Sequence, residues 1–357
     1  MDWLYRTNFD QLTIIAIWSI IGVLVTTVVL FVYTIGLRVA TLVGDKRRAE
    51  FVGRWRSVFA TAMLSEDDAH NCAVPKIGRN DNADLLEEWN RTRSIVDGTA
   101  VDNLIILARR VAIPATAVKL LHKHRVRAQI LATQTIGHLR DQEQRDEIRS
   151  LVDHENTALS ITAVVALVEI DPDFAVSIVV PMIEKRRDWP KNRVSIMLRM
   201  AGSERISEPM YRAIRSADDV NKTYLMQFAR LMDAEVLDAL VEDLIRTSEN
   251  PGVLNAALKL VSGYGGVPRI AALTQHAAWF VRMQSAKVLG RIGQEEHLSL
   301  LESLLDDVEW WVRYRAAQAI TSLPFLGPNQ LRQIRDRQTD RFASDILEQS
   351  FAEVGIA

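Results

Sequence analysis

The sequence predicts an all-α protein: one N-terminal transmembrane helix followed by an α-solenoid of stacked helical hairpins. Three observations predict it. Residues 11–37 carry no charge. From about residue 98 apolar side chains recur at helical spacings of three and four. Two stretches, beginning at Trp279 and Trp310, repeat one another at a step of 31 residues.

The uncharged run, QLTIIAIWSIIGVLVTTVVLFVYTIGL, is 27 residues long. A bilayer core of roughly 30 Å needs about 20 apolar helical residues, so this run can span it with a tilt. Its many β-branched residues make a poor helix in water. In hydrocarbon every backbone N–H and C=O must be paired within the segment, and that requirement overrides propensity. The run is longer than the apolar stretch of a signal peptide, and two acids precede it. An uncleaved anchor is expected.

Direction follows from charge. Arg38, Lys46, Arg47, Arg48, Arg54 and Arg56 all follow the run. Cytoplasmic flanks retain Lys and Arg, so the body should be cytoplasmic and residues 1–10 an extracytoplasmic tail. Trp3, Tyr5 and Tyr33 fall near the two expected interfaces. Ser19, Gly22 and Thr26 make a small-residue face suited to packing against a membrane partner helix or a second copy of the chain.

Residues 38–64 read as a basic amphipathic juxtamembrane helix. Phe51, Trp55, Val58, Phe59 and Met63 share one side, while Arg47, Arg48, Arg54 and Arg56 lie elsewhere around the wheel. Two readings stand: an interfacial helix on anionic lipid, or a first helix docked on the body. Residues 65–97 turn to Asp, Asn, Glu and Pro and read as a polar linker with one short helix.

Residues 98–323 are the repeat array. No alternation of β-branched residues between turn signals proposes a strand. Ala128, Ile130, Ala132, Ile136 and Leu139 fall over Leu159, Ile161, Ala163, Leu167 and Ile170, again 31 residues on. A unit of that length holds two helices and two turns, and each hairpin must stack on its neighbours to bury both faces. Residues 324–357 read as charged capping helices.

Asp307, Val312-Arg313 and Ala316-Ala317, with Val281-Arg282, Ala286 and Leu289-Gly290 one unit earlier, resemble the HEAT repeat, in its short bacterial form. The resemblance is specific over about 270–323 and degenerate over 98–269. It implies stacked helix pairs offering a long surface for proteins or, less often, for enzymatic work. It also implies a ladder in which the turn aspartate pairs with an arginine of the stacked unit, through Arg282, Asp307 and Arg313. His276 stands where one such aspartate is expected, so the ladder should break there. Similar repeats occur in bilin lyases, which handle tetrapyrroles, and a HEAT-like fold occurs in DNA glycosylases. The anchor argues against the first. The second needs a basic groove, whereas residues from 65 on hold 36 Lys and Arg against 41 Asp and Glu.

Candidate chemistry is sparse. His122 and His124 project to different sides of a helix among cations, which disfavours a metal. Lys123, Arg125 and Arg127 form one basic turn and Arg186 and Arg187 another, each a candidate for lipid or an acidic partner. Trp189, Trp279, Trp310 and Trp311 are candidate interface residues, with core filling as the plainer alternative. Gly263 to Gly266 reads as a helix end and turn and not as a phosphate loop. The lone Cys72 has no internal disulfide partner. No cofactor or metal and no nucleic-acid partner is expected. The expectation is a non-enzymatic adaptor on the cytoplasmic face of a bacterial inner membrane, its partner another membrane or cytoplasmic protein such as a glycosyltransferase of exopolysaccharide synthesis.

Overall fold

The computed structural model describes residues 2–78, 81–262 and 267–356. The glycine turn at 263–266 lies outside the described residues, as do the side chains of Trp3 and Tyr5. The chain divides into two units, Met1–Leu139 and Arg140–Ala357. Among the described residues all regular structure is helical.

The first unit comprises α1 (Asp2–Ala62), α2 (Glu66–Asn71), α3 (Asn82–Arg93), α4 (Thr99–Arg110), α5 (Ile113–Leu121) and α6 (Val126–His138). With no proline before Pro75, α1 runs unbroken for 61 residues, about 90 Å at 1.5 Å per residue. The change at residue 38 is therefore one of composition, and the expected boundary between a span and a separate juxtamembrane helix is absent. From Ile14 to Val43 the large apolar side chains of α1 are exposed. By length and composition this part of the helix is able to cross a membrane.

Further along, the same helix becomes the core of the unit. Phe51, Trp55, Val58, Phe59 and Ala62 are buried, and the Trp55 ring lies 6.1 Å from that of Phe51 and 5.5 Å from that of Phe59. Of the two readings of residues 38–64, the docked helix is the one observed. The apolar side from Phe51 to Ala62 is covered by the body. The cations are engaged too. Arg47 pairs with Asp81 at 3.1 Å, Arg48 with Asp84 at 3.0 Å and Glu87 at 2.6 Å, and Arg56 with Glu88 at 2.5 Å. Arg54 is exposed.

The stretch expected to be a polar linker contributes to this core as well. Leu85, Leu86 and Trp89 of α3 are buried, because its acids face α1 while its apolar stripe faces inward. The Ser65 hydroxyl caps α2 by accepting from the Asp68 N–H at 3.1 Å. Arg110 of α4 holds the end of α2 through the Cys72 carbonyl at 2.8 Å. Inside the unit, the His138 ring of α6 lies 6.0 Å from Trp89. Burial, reinforced by the nearby Arg93 charge, pushes the His138 imidazole down to about 4.

The second unit is a run of helical hairpins. These are α7 (Arg145–Ser150) with α8 (Thr157–Ile170), α9 (Pro172–Ile183) with α10 (Lys191–Ala201), and α11 (Ser203–Ser216) with α12 (Asp219–Leu225). Then come α13 (Ala234–Thr247) with α14 (Pro251–Leu260), and α15 (Val267–Ala272) with α16 (Trp279–Ile292). Last are α17 (Leu298–Ser303) with α18 (Trp310–Thr321), and α19 (Pro328–Asp336) with α20 (Arg341–Glu353). First helices pack on first helices, as α9 on α11, and second helices on second helices, as α14 on α16 and α16 on α18. The result is a two-layered solenoid, as the 31-residue step requires.

Small residues set the closest approach. A Cβ added to Gly290 would lie 2.5 Å from the Ala319 Cβ and 2.6 Å from its Cα, so α16 and α18 touch backbone to backbone there. Pro172 and Pro251 open α9 and α14, where a missing N–H costs nothing. Pro181 lies inside α9, and Pro209 lies inside α11. Each removes the hydrogen bond that would reach back four residues. The carbonyls of Ser177 and Arg205 are thereby without their helical donors.

Candidate functional site

Each hairpin of the second unit turns at a loop, and these loops line up along one edge of the stack. Three have the same design: a 3-10 turn (Leu151–Asp153, Leu273–Gln275 or Leu304–Asp306) ends the first helix. The residue after it then accepts a hydrogen bond from the N–H two positions on. His154 Nδ1 takes the Asn156 N–H at 2.9 Å, His276 Nδ1 the Ala278 N–H at 3.0 Å, and the Asp307 carboxylate the Glu309 N–H at 2.9 Å. His276 thus keeps the turn half of the aspartate's role. Having no carboxylate, it makes no arginine pair of its own among the described residues, and its loop is held instead through its backbone carbonyl.

The ladder is built where Arg282 meets Asp307. The guanidinium is bidentate, Nε to Oδ2 at 2.6 Å and Nη2 to Oδ1 at 2.7 Å, and the two side chains are 13% and 8% exposed. Nη1 donates to the carbonyls of His276 and Ala277 at 2.9 and 3.0 Å. Burial works to raise the Asp307 carboxyl, but the hydrogen bonds from Arg282 and the Glu309 N–H outweigh it and hold it below the usual range. The next rung is looser: Arg313 reaches Asp340 at 3.4 Å and lies over the Phe342 ring.

A further rung was not anticipated. Arg186 is bidentate to Asp188 at 2.8 Å and donates to the Val152 and His154 carbonyls of the preceding loop at 3.0 and 3.3 Å. Thr157 adds a hydrogen bond to Asp188 at 2.6 Å. The Arg186 and Thr157 bonds hold the Asp188 carboxyl far below the ordinary range. Trp189 beside it is 2% exposed, its Nε1–H donating to the Ser160 hydroxyl at 3.1 Å. Arg186 is therefore not a surface basic patch, and Trp189 is not an interface residue. Both close the loop edge, because the Trp189 indole fills the gap between stacked hairpins and the guanidinium caps it. Arg187, though exposed, lies 3.6 Å over the Tyr224 ring and bonds Asn221, so it too joins loop to loop. The signal in the sequence was Thr157 and Asp188 standing 31 residues apart, the repeat step itself.

Lys123, Arg125 and Arg127 are exposed around the turn before α6 and remain a basic patch. On α1, the Ser19 and Thr26 hydroxyls donate to the Ile15 and Gly22 carbonyls at 2.8 Å each, and nothing packs within 4 Å of a Cβ placed at Gly22. Their polar groups are satisfied inside the helix and the face is open.

The remaining tryptophans stand out from the stack. Val281 and Val312 of α16 and α18 are fully buried, which turns the residues before them outward. Trp279, Trp310 and Trp311 are 37%, 46% and 51% exposed, and Val308 is 88% exposed. Trp310 stacks flat on Tyr314 with centroids 5.1 Å apart, and Trp311 meets Trp310 edge-on at 4.8 Å. With Phe342 in the first turn of α20, exposed large apolar side chains recur at the start of the second helix in three successive units, an aromatic strip along the loop edge in that sense.

A second feature lies in the layer of first helices. Between α9 and α11 runs a groove of about 880 Å³ floored by Val176, Val180, Pro181 and Pro209. Arg205 bridges it to Asp173 at 3.1 Å. Ser177 and Arg205 also line it. Among the described residues no group of three or more His, Cys, Asp or Glu is placed to hold a metal ion.

Residues 263–321 match the family described as HEAT repeats. No curated protein matches the chain. Among solved structures it is similar to importin beta, at 10% identity and a TM-score of 0.40 over 86% of this chain and 53% of that one. It is also similar to human deoxyhypusine hydroxylase, at 14% identity and a TM-score of 0.30 over 78% and 98% of the two chains. A tubulin-recruiting TOG-domain array of microtubule polymerases gives 11% identity and 0.26 over 84% and 98%. The protein is an all-helical repeat solenoid carrying HEAT repeats toward its C-terminal end.

Proposed function

We propose that this protein is a membrane-anchored, non-enzymatic adaptor on the cytoplasmic face of a bacterial inner membrane. The apolar part of α1 is the anchor, residues 1–10 lie outside, and the solenoid docks and positions a membrane protein complex. A glycosyltransferase of exopolysaccharide synthesis is the partner class to test first. The reading rests on one observation above the others, the exposed strip of Trp279, Trp310 and Trp311. Tryptophan and tyrosine supply large, rigid contact area and dominate the energetics of protein interfaces. Stacked HEAT hairpins are a scaffold on which such strips recur. The exposed apolar run of α1 supports the anchor, and the basic residues that follow it support the direction.

The test is capture from membranes in mild detergent with the tagged full-length chain, beside its Trp310→Ser, Trp311→Ser variant. A partner held by the first and lost from the second, with unchanged thermal melting, is the expected outcome. If both chains come out alone, or if both retain the same partner, the strip is not the docking surface.

A further inference from the structure

The second helices in the middle of the second unit are basic, although the unit as a whole is acidic. Across α10, α12 with the 3-10 turn Met226–Leu231, α14, α16 and α18 they carry eleven Lys and Arg and one acid, Asp219, whereas α8 and α20 at the two ends carry one Arg and four acids. Four of these cations converge on one cleft. Arg230, Lys259, Lys287 and Arg291 line a cavity of about 180 Å³ floored by the aliphatic side chains of Leu258 and Val288. No carboxylate lines it, and among the described residues none of the four makes an ion pair. All four are exposed.

The cleft is held open from both sides. Arg230 donates to the Lys259 carbonyl at 2.5 Å, and Arg291 donates to the Val261 carbonyl. Both guanidiniums are thus pinned at the C-terminal end of α14, where carbonyls lack helical donors, and their other N–H groups are left to face out. Lys259 and Lys287 occupy the same position of successive second helices, nine residues after the caps Asn250 and Ala278.

We propose that this cleft binds an acidic polypeptide segment, one carboxylate seating among the four cations. Like charges gathered without a counter-charge call for an anion. The cavity is too small for a typical small-molecule ligand, which needs roughly 300–1,000 Å³, but it fits a single Asp or Glu side chain. Neighbouring helices lie about 8–10 Å apart, which an extended chain covers in about three residues. Acids spaced three apart would therefore meet Lys259 and Lys287 in turn. A nucleic acid fits less well, because toward the end of the stack Arg282 and Arg313 are already paired with Asp307 and Asp340 and are not free for a phosphate backbone. The choice of a polypeptide rests on the adaptor reading; the anion site does not.

The test is fluorescence anisotropy of a labelled oligoglutamate peptide titrated with full-length protein in detergent at low salt. Lys259→Glu with Lys287→Glu is the main variant, since neither ammonium supports the fold. Binding that weakens with salt, and about tenfold in the double variant, is the expected result, with the Trp310→Ser, Trp311→Ser protein binding as wild type. No binding, or equal binding by the double variant, overturns the proposal. So does tighter binding of a single-stranded oligonucleotide at equal salt. A partner captured through the tryptophan strip while oligoglutamate fails would remove this site and leave the adaptor; the reverse pattern would leave the site and remove the adaptor.

Discussion

Arginine–carboxylate pairs join neighbouring segments in both units, at the same distances and in different surroundings. Arg48 meets Glu87 at 2.6 Å in the first unit, with side chains 43% and 50% exposed. Arg282 meets Asp307 at 2.6 Å in the second, with almost all of both side chains withdrawn from water. In the exposed pair water screens the attraction, and net gains of such pairs are about 0–1 kcal/mol. In the buried pair both charges have lost their hydration, and removing one partner strands the other at a cost of about 3–5 kcal/mol. Distance does not distinguish them; burial does. The α1–α3 pairs orient a helix already fixed by Trp55 and Phe59, whereas the loop rungs are part of what closes the stack.

The largest effect that would break this comparison is at the rung itself. Arg282→Ala should lower stability by about 3 kcal/mol in chemical denaturation of the full chain in detergent. A midpoint equal to wild type would erase the distinction between the two classes of pair. Comparable in size is the response of the first unit to acid. Its buried His138 stays neutral down to about 4, while the unfolded chain takes up the proton near 6.5. Its stability contribution is therefore whole above about pH 6.5 and is lost as pH falls toward 4, by about 3 kcal/mol. His138→Gln should flatten that part of the stability–pH curve, and an unaltered slope would mean that other groups set it.

A smaller cost is expected where backbones touch. Gly290→Ala forces α16 away from Ala319 and should cost about 1–3 kcal/mol, read as a lower melting temperature with helicity retained. Smallest is Arg48→Ala, within about 1 kcal/mol of wild type in the same denaturation assay. A loss as large as that of Arg282→Ala would show the α1–α3 pairs to be structural after all.

Much of the fold was legible because burial imposes periods. The 31-residue step follows from the need of each hairpin to stack on the next, whereas the Arg282–Asp307 rung was implied by the resemblance to the HEAT repeat. The loop edge was legible only where it matched the HEAT pattern. Arg186 stood in a run of cations and looked like surface charge, since nothing local shows that Val152, His154 and Asp188 surround it. Trp189 and Trp311 are chemically identical, yet one faces a neighbouring hairpin and the other faces solvent.

The sequence by itself determined that the chain is all-helical, that residues 11–37 are apolar throughout, and that the body repeats. These are properties of composition and period, and the backbone has few ways to satisfy them. Only the tertiary structure decided that α1 runs on into the first core and that Arg186 locks loops together. It also decided that four exposed cations, spread from residue 230 to residue 291, share one cleft. What a charge does depends on which groups lie within a few ångströms, and stacking brings together residues about thirty apart.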